Sequence, residues 1–434
     1  MKNFLRQPLT ALVAAALALE VLFVAILSLG DLKEYLVEFL ALAFLAGAVY
    51  LVAVFLVERV APSRRAALWV ILLAALAFRL TLLPLEPSLS GDLHRYRWEG
   101  RVQTAGFNPY SVAPVDDRLR SLRDESFPQM TSLNYPAFWP PLAQLCFRLL
   151  VRLGGSSYVF KSAFLLFDLA SIYLLLELLA AAGRPRAAVL IYAWNPLVVV
   201  EISGSGHYDA LAVATLLLAS LLIIRERQRL SIVALAASAM LKLYAIWLLP
   251  VFAVRRKLQS FLLFAGVCAI CYMPFAEAGR ALFSGFGLFA AKWRNNASLF
   301  NVLLWLVPNE QVAVGISLGI VTGVALYFAA WRPREELPGL DVLRASFLTI
   351  GVLLCVSYSV FPWYFTWIVP FLCLWPSPAW LLLTVTAFLG HHVLIGYAAT
   401  GAWHYSPSIL ALEYVPFYAL LLAGWSHRQI ASEN

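Results

Sequence analysis

The chain has 434 residues, 62% of them hydrophobic and 13% charged. Soluble domains are about half apolar and about a quarter charged, so this composition excludes an ordinary soluble domain and describes a polytopic membrane protein. The formal net charge of +8 does not point to nucleic acid, because the basic residues lie in short clusters between hydrophobic runs, the pattern that sets membrane orientation.

A helix needs about 20 apolar residues to cross the hydrocarbon. That yardstick predicts an all-α, single-domain chain over 1–434 with about twelve spans: 9–30, 34–57, 66–86, 158–181, 187–203, 208–224, 259–275, 311–331, 341–359, 362–375, 379–397 and 407–425. The first run follows Lys2 and Arg6 but lacks a persuasive small-residue cleavage site, and another run soon follows, so it is expected to stay as the first span. Lys2 and Arg6, Arg64 and Arg65, Arg184 and Arg186, Arg225, Arg227 and Arg229, Arg255, Arg256 and Lys257, and Arg332 and Arg334 alternate onto one side. The positive-inside rule then puts both termini in the cytoplasm and the long segment 87–135 outside.

Residues 230–253 lie between two of these basic clusters, and 24 residues are too few for two crossings. A re-entrant or short-helix hairpin is predicted, with Lys242 near its tip, a geometry tolerated where protein or a water-filled cavity surrounds the backbone. A buried lysine there calls for an anion. Neither an internal repeat nor an inverted pair of broken helices is visible, which weakens a transporter reading. Cys268 and Cys271 fall in an apolar run and are expected to be two buried thiols, not a redox or zinc pair.

The segment after the third span reads Ser-Gly-Asp-Leu-His-Arg-Tyr-Arg-Trp-Glu-Gly-Arg-Val from Ser90. Asp92 is the leading candidate for a catalytic acid: it stands at the membrane edge among His94, Arg95, Tyr96 and Glu99, and a carboxylate there can act as general base on a hydroxyl. A solvated acid paired with Arg95 is the plain alternative. Glu99 is seven residues on, about two helical turns, and is expected to be structural or to bind acceptor hydroxyls. Trp139 ends the segment in a cluster of prolines and aromatics that suits a rigid interfacial wall or an aromatic belt. His207 and Asp209 follow Gly204-Ser205-Gly206 at another predicted outer turn, without a fuller set of metal ligands. Arg79, Lys242 and Arg294 are the cations that could hold a phosphate, Arg79 with snorkelling as its plain explanation. Trp363 and Tyr364 belong to a late aromatic group that would anchor at the interface or stack on a sugar or lipid. His391 and His392 are expected to be hydrogen-bonded core histidines.

Asp92-x-x-Arg95-Tyr96-x-Trp98-Glu99-Gly100-Arg101-Val102 with Gly106-x-Asn108-Pro109-Tyr110 resembles the first outer loop of polyprenyl-phosphate-sugar-dependent membrane glycosyltransferases of the GT-C fold, most nearly the bacterial mannosyltransferases of the family 87 kind. Trp139-Pro140-Pro141, Asn195-Pro196-Leu197, Gly206-His207-Tyr208-Asp209, Lys242-Leu243-Tyr244 and Pro362-Trp363-Tyr364 follow in the order such enzymes show. The sequence departs from that pattern at Glu99, Tyr208 and Phe361. The resemblance implies an inner-membrane enzyme that transfers a sugar, mannose being the expected one, from a polyprenyl phosphate to a hydroxyl of a glycolipid or glycan at the periplasmic face, with inversion. It implies Asp92 as base, Lys242, Arg294 or Arg79 on the departing phosphate, and His94, Arg95, Tyr96, Glu99, Asn108, Tyr110, Trp139, His207, Asp209, Trp363 and Tyr364 as substrate contacts, with no cofactor or metal called for. A membrane transporter or flippase of a lipid-linked sugar is the competing reading, and it expects Asp168 and Glu177 to face a central pathway.

Overall fold

The computed structural model describes residues 7–59, 65–254, 257–331, 339–401 and 403–433. Lys2, Arg6, Arg64, Arg255, Arg256, Arg332 and Arg334, on which part of the expected orientation rests, lie outside the described residues. The architecture is all-helical; among the described residues the nearest thing to a strand is one parallel bridge between Asn295 and Ser359. Eight helices among those residues are long and apolar enough to cross a membrane, or nine if one bent pair counts as a single span. That makes the chain a multi-pass membrane protein with fewer full-length spans than the twelve or so expected.

Local chemistry explains the difference. The predicted span 187–203 is broken: Asn195 accepts hydrogen bonds from the backbone N–H groups of Leu197 and Val198 at 3.0 and 3.3 Å, and Pro196 occupies the first helical position. That is a helix start placed inside an apolar run, and the chain bends by 58° there. The predicted span 362–375 divides into a 3₁₀ segment, Pro362–Trp367, and a single α-turn, Val369–Leu372, each opening at a proline. Two further expected spans come out short, at 16 residues for Asp209–Ile224 and 17 for Leu340–Val356.

Helices α1 (Gln7–Ser28), α2 (Leu36–Arg59) and α3 (Arg65–Leu82) pack on one another. The connection to the next long helix carries α4 (Asp92–Thr104) and α5 (Pro141–Arg152), which pack together, and Trp98 and Val102 of α4 form a small core with Val112, Leu119 and Met130 of the segment that follows. α6 (Ser157–Ala181) follows, and after the broken segment α7 (Asp209–Ile224) packs against it. α8 (Gln228–Leu241) lies on α7 with buried serines turned toward it: Ser231 donates to the Ala219 carbonyl and Ser238 to the Ala212 carbonyl, both at 2.8 Å. α8 stops where Lys242 is extended (φ −140°, ψ 124°), and a 3₁₀ segment, Leu243–Leu248, runs into the short α9 (Leu249–Phe252). Gln228 donates 2.9 Å to the Phe252 carbonyl, so the two arms meet at their base and form a short hairpin with Lys242 at the opposite end.

Cys268 and Cys271, on α10 (Lys257–Tyr272), are free thiols and only half-buried. The expectation that both are core groups fails because α10 turns most of its surface outward, with only Ser260 and Phe264 buried.

Candidate active site

Arg95 fixes the segment between α3 and α6. Its guanidinium donates to Glu99 at 2.8 Å, to the Ser132 carbonyl at 2.8 Å and to the Tyr135 carbonyl at 2.7 Å. The other Glu99 oxygen accepts from Gln144. Arg95 and Glu99 are both almost wholly buried, and burial holds the Glu99 carboxyl above the ordinary carboxylate range, with Arg95 and Gln144 drawing it back in part. The two form a strut that ties α4 to the end of the 87–135 segment, and neither is among the residues that line the cavity into which Asp92 opens. Asn108 and Tyr110 are likewise absent from that lining. Asn108 donates to the Phe275 carbonyl at 3.1 Å and accepts from the Tyr110 backbone at 3.2 Å, and the Tyr110 hydroxyl donates 2.6 Å to the Trp139 carbonyl. Their work is to set Trp139.

Asp92 is the first residue of α4, where the unpaired N–H groups and the helix dipole favour a negative charge. Gly91 before it runs so close to the loop that an added Cβ would stand 2.4 Å from the Gln129 carbonyl oxygen. Tyr96 donates to Asp92 Oδ2 at 3.2 Å while its ring stacks on Phe147, with centroids 4.7 Å apart. Burial raises the Asp92 carboxyl above the usual carboxylate range, and His207, Lys242 and the Tyr96 hydroxyl lower it in part. Asp92 opens into a cavity of about 660 Å³, within the range of ligand sites. His94, Trp139, Lys242, Trp363 and Tyr364 line the same cavity.

Lys242 reaches the cavity from the hairpin tip. Its Nζ lies 3.1 Å from Asp209 Oδ2, 4.4 Å from the centre of the Tyr208 ring and 5.4 Å from that of Tyr364. The other Asp209 oxygen accepts 2.7 Å from Trp367 Nε1. Asp209 is thus the buried counter-charge that aims Lys242, and it is not among the lining groups. His207 lies behind Asp92, wholly buried, with Nε2 4.0 Å from Asp92 Oδ2 and its ring stacked at 3.9 Å on Trp363.

Two of the three expected phosphate-binding cations are elsewhere. Arg79 is wholly buried, donating to Asp168 at 2.5 Å and to the Ala193 carbonyl at 2.7 Å, and Tyr192 donates 2.6 Å to the other Asp168 oxygen. It pins α3 to α6 and the broken span. Arg294 pairs with Glu310 and with carbonyls of its own turn, and its guanidinium sits 4.7 Å over the Tyr358 ring, away from the cavity lining. Among the lining residues not expected in the site are the titratable His391 and Lys33. His391 is a buried histidine bonded to Glu201 at 2.9 Å, as expected, and it also lines the cavity; His392 is a half-buried, hydrogen-bonded structural group, accepting 3.1 Å from the Ser406 backbone. Lys33 lines the mouth beside Asp31 and Glu86. Nothing in an apolar-flanked His-His pair or an isolated Lys33 marks either in the sequence. Among the described residues no group of three or more His, Cys, Asp or Glu side chains is placed to hold a metal ion.

A family model described as the alpha-(1->6)-mannopyranosyltransferase N-terminal domain, of the MptA/B family, matches residues 8–256. The chain belongs to this family. Comparison with curated proteins and with solved structures gives no match. The mannosyltransferase expected from the residues that follow Ser90 is therefore borne out at the level of the family. The matched part of the mannopyranosyltransferase carries Asp92, His207, Asp209 and Lys242; Trp363, Tyr364 and His391 join the site from beyond it.

Proposed function

We propose that this mannosyltransferase moves mannose from a polyprenyl-phosphate donor to a hydroxyl of a glycan or glycolipid at the outer face of a bacterial inner membrane, with inversion and with Asp92 as general base. The observation that carries the reading is that Asp92 and Lys242 open into one cavity. In it, an Asp92 oxygen takes the proton of the acceptor hydroxyl as the hydroxyl oxygen attacks the anomeric carbon. The carbon–oxygen bond to phosphate breaks on the opposite face, and the phosphate leaves with the electron pair. Lys242 faces that developing charge, where water is scarce and a fixed cation is worth most. Trp139, Tyr364 and the edge of Trp363 line the room for the pyranose and the first prenyl units. The linkage in the family's name is the one we assign, an attack by a primary hydroxyl; inversion to an alpha linkage requires a β-configured mannosyl phosphate.

The membrane placement belongs to the same proposal. The α8–α9 hairpin enters from the cytoplasmic side as a re-entrant element that lifts Lys242 to the level of Asp92, within a GT-C arrangement whose termini are both cytoplasmic. The transporter reading gains no support, since Asp168 is closed off by Arg79 and Tyr192, and Glu177 pairs with Arg225 at 2.7 Å. The test is transfer by the purified full chain from a panel of polyprenyl-phosphate sugars. Mannose should be consumed and the others left, and Asp92→Asn should lower turnover roughly 10²–10⁴-fold; near-normal turnover by that variant would reject Asp92 as base.

A further inference from the structure

Asp92, His207, Glu201 and His391 stand in a row that the reaction above uses only at its first member. His207 Nδ1 hydrogen-bonds the Glu201 main-chain carbonyl at 3.2 Å and lies 3.0 Å from Glu201 Oε2, a close charge contact in which that oxygen makes no hydrogen bond of its own. A ring nitrogen set between two acceptors must carry the hydrogen, so the neutral imidazole presents its lone pair at Nε2. That atom is buried, has no hydrogen-bond partner and lies 4.0 Å from Asp92 Oδ2. Bonds of this kind are often long in the empty site and tighten when substrate arrives, or run through one water. The Trp363 ring, 3.9 Å away and within 17° of parallel, fixes the imidazole plane.

The backbone is shaped for the same end. Glu201 sits in a π-helical turn, Val200–Gly204, a widened turn associated with functional sites. Gly206 follows at φ +73°, where a Cβ would lie 3.0 Å from Leu93, and this lets the chain double back so that His207 N–H donates 3.0 Å to the Glu201 carbonyl. His391 holds the remaining Glu201 oxygen at 2.9 Å from a different span.

We infer that His207 receives from Asp92 the proton taken from the acceptor hydroxyl, while Glu201 holds the imidazole in the receiving tautomer and balances its charge. The inference rests on Asp92 being the base. The acceptor O–H bond breaks as its oxygen bonds to the anomeric carbon, and the proton passes from Asp92 Oδ2 to His207 Nε2. This restores the Asp92 carboxylate and leaves an imidazolium between two carboxylates. After the products depart, the proton returns through Asp92 to water in the cavity, so no further reactant is needed. His207 acts through Asp92 and is a positioning and relay residue; Glu201 and His391 position it.

The experiment measures kcat and KM of the purified full chain with a polyprenyl-phosphate mannose for Asp92→Asn, His207→Gln, Glu201→Gln and the two doubles that pair each of the latter with Asp92→Asn. His207→Gln is expected to lower kcat roughly 10- to 100-fold, as loss of a supporting partner does, with KM for both substrates within about twofold. On the Asp92→Asn background it should cause no further loss, because groups acting as one unit are not additive. Glu201→Gln keeps the side chain's shape and should show the same pattern at a smaller factor, which carries the test if His207→Gln fails to fold. Full kcat in His207→Gln or Glu201→Gln, or an equal loss on both backgrounds, overturns the relay while leaving Asp92 as base. Undiminished turnover by Asp92→Asn removes the base and the relay together.

Discussion

Asp92 carries its charge where the surroundings disfavour it, since burial raises its carboxyl above the ordinary value of 3.8. An acid whose folded pKa is raised adds stability below its unfolded pKa and loses that contribution as pH rises through the folded value. At neutral pH the ionised side chain therefore costs stability, and Asp92→Asn should match or exceed the wild-type melting temperature while transfer is lost. A lower melting temperature would make Asp92 a structural acid. Catalysis needs the ionised form, so kcat/KM should fall as pH drops, along an acid limb lying above the usual carboxylate range; a limb at the ordinary value would place Asp92 in bulk water. Lys242→Ala should slow transfer by roughly 10²-fold, the scale of losing one donor to a developing anion. An unchanged rate and donor affinity would take Lys242 out of the site.

The elements are held by buried polar ties as much as by apolar contact. Arg79 and Asp168 are both wholly buried, and removing one partner leaves an uncompensated charge, which costs roughly 3–5 kcal/mol. Arg79→Met should accordingly lower thermal stability sharply, and Arg79→Met with Asp168→Leu should recover most of it. If Arg79→Met kept its melting temperature but lost donor affinity, Arg79 would be a phosphate ligand after all. The hairpin depends on a different economy: the α8 serines spend their hydroxyls on α7 carbonyls, so two short helices sit side by side with their backbones close and the chain reverses at Lys242.

Across the whole molecule, the site is assembled from segments far apart in the chain. Asp92 comes from the connection between α3 and α6, Lys242 from the hairpin, and Trp363 and His391 from the last third. The proposed orientation puts the 87–135 segment outside, and exposed Arg120 lies on it. Arg120→Cys should react with a membrane-impermeant maleimide in cells whose outer membrane alone is opened. Reaction only after full lysis would place Asp92 in the cytoplasm and reverse the proposal.

The sequence by itself determined that the chain is a helical membrane protein, that Asp92 heads a charged segment between two long apolar helices, and that residues 230–253 turn back at Lys242. Those features are written in local hydrophobicity, in charge spacing and in length against bilayer thickness, all of which act within a few turns. Only the tertiary structure decided the roles of Arg79, Arg95, Glu99, Asn108, Tyr110 and Arg294, and it alone brought His391 to the cavity. A buried cation and a ligand-binding cation have the same residue type and apolar neighbours. What separates them is whether a carboxylate or carbonyl from a distant segment arrives to satisfy them, and that partner is fixed by packing.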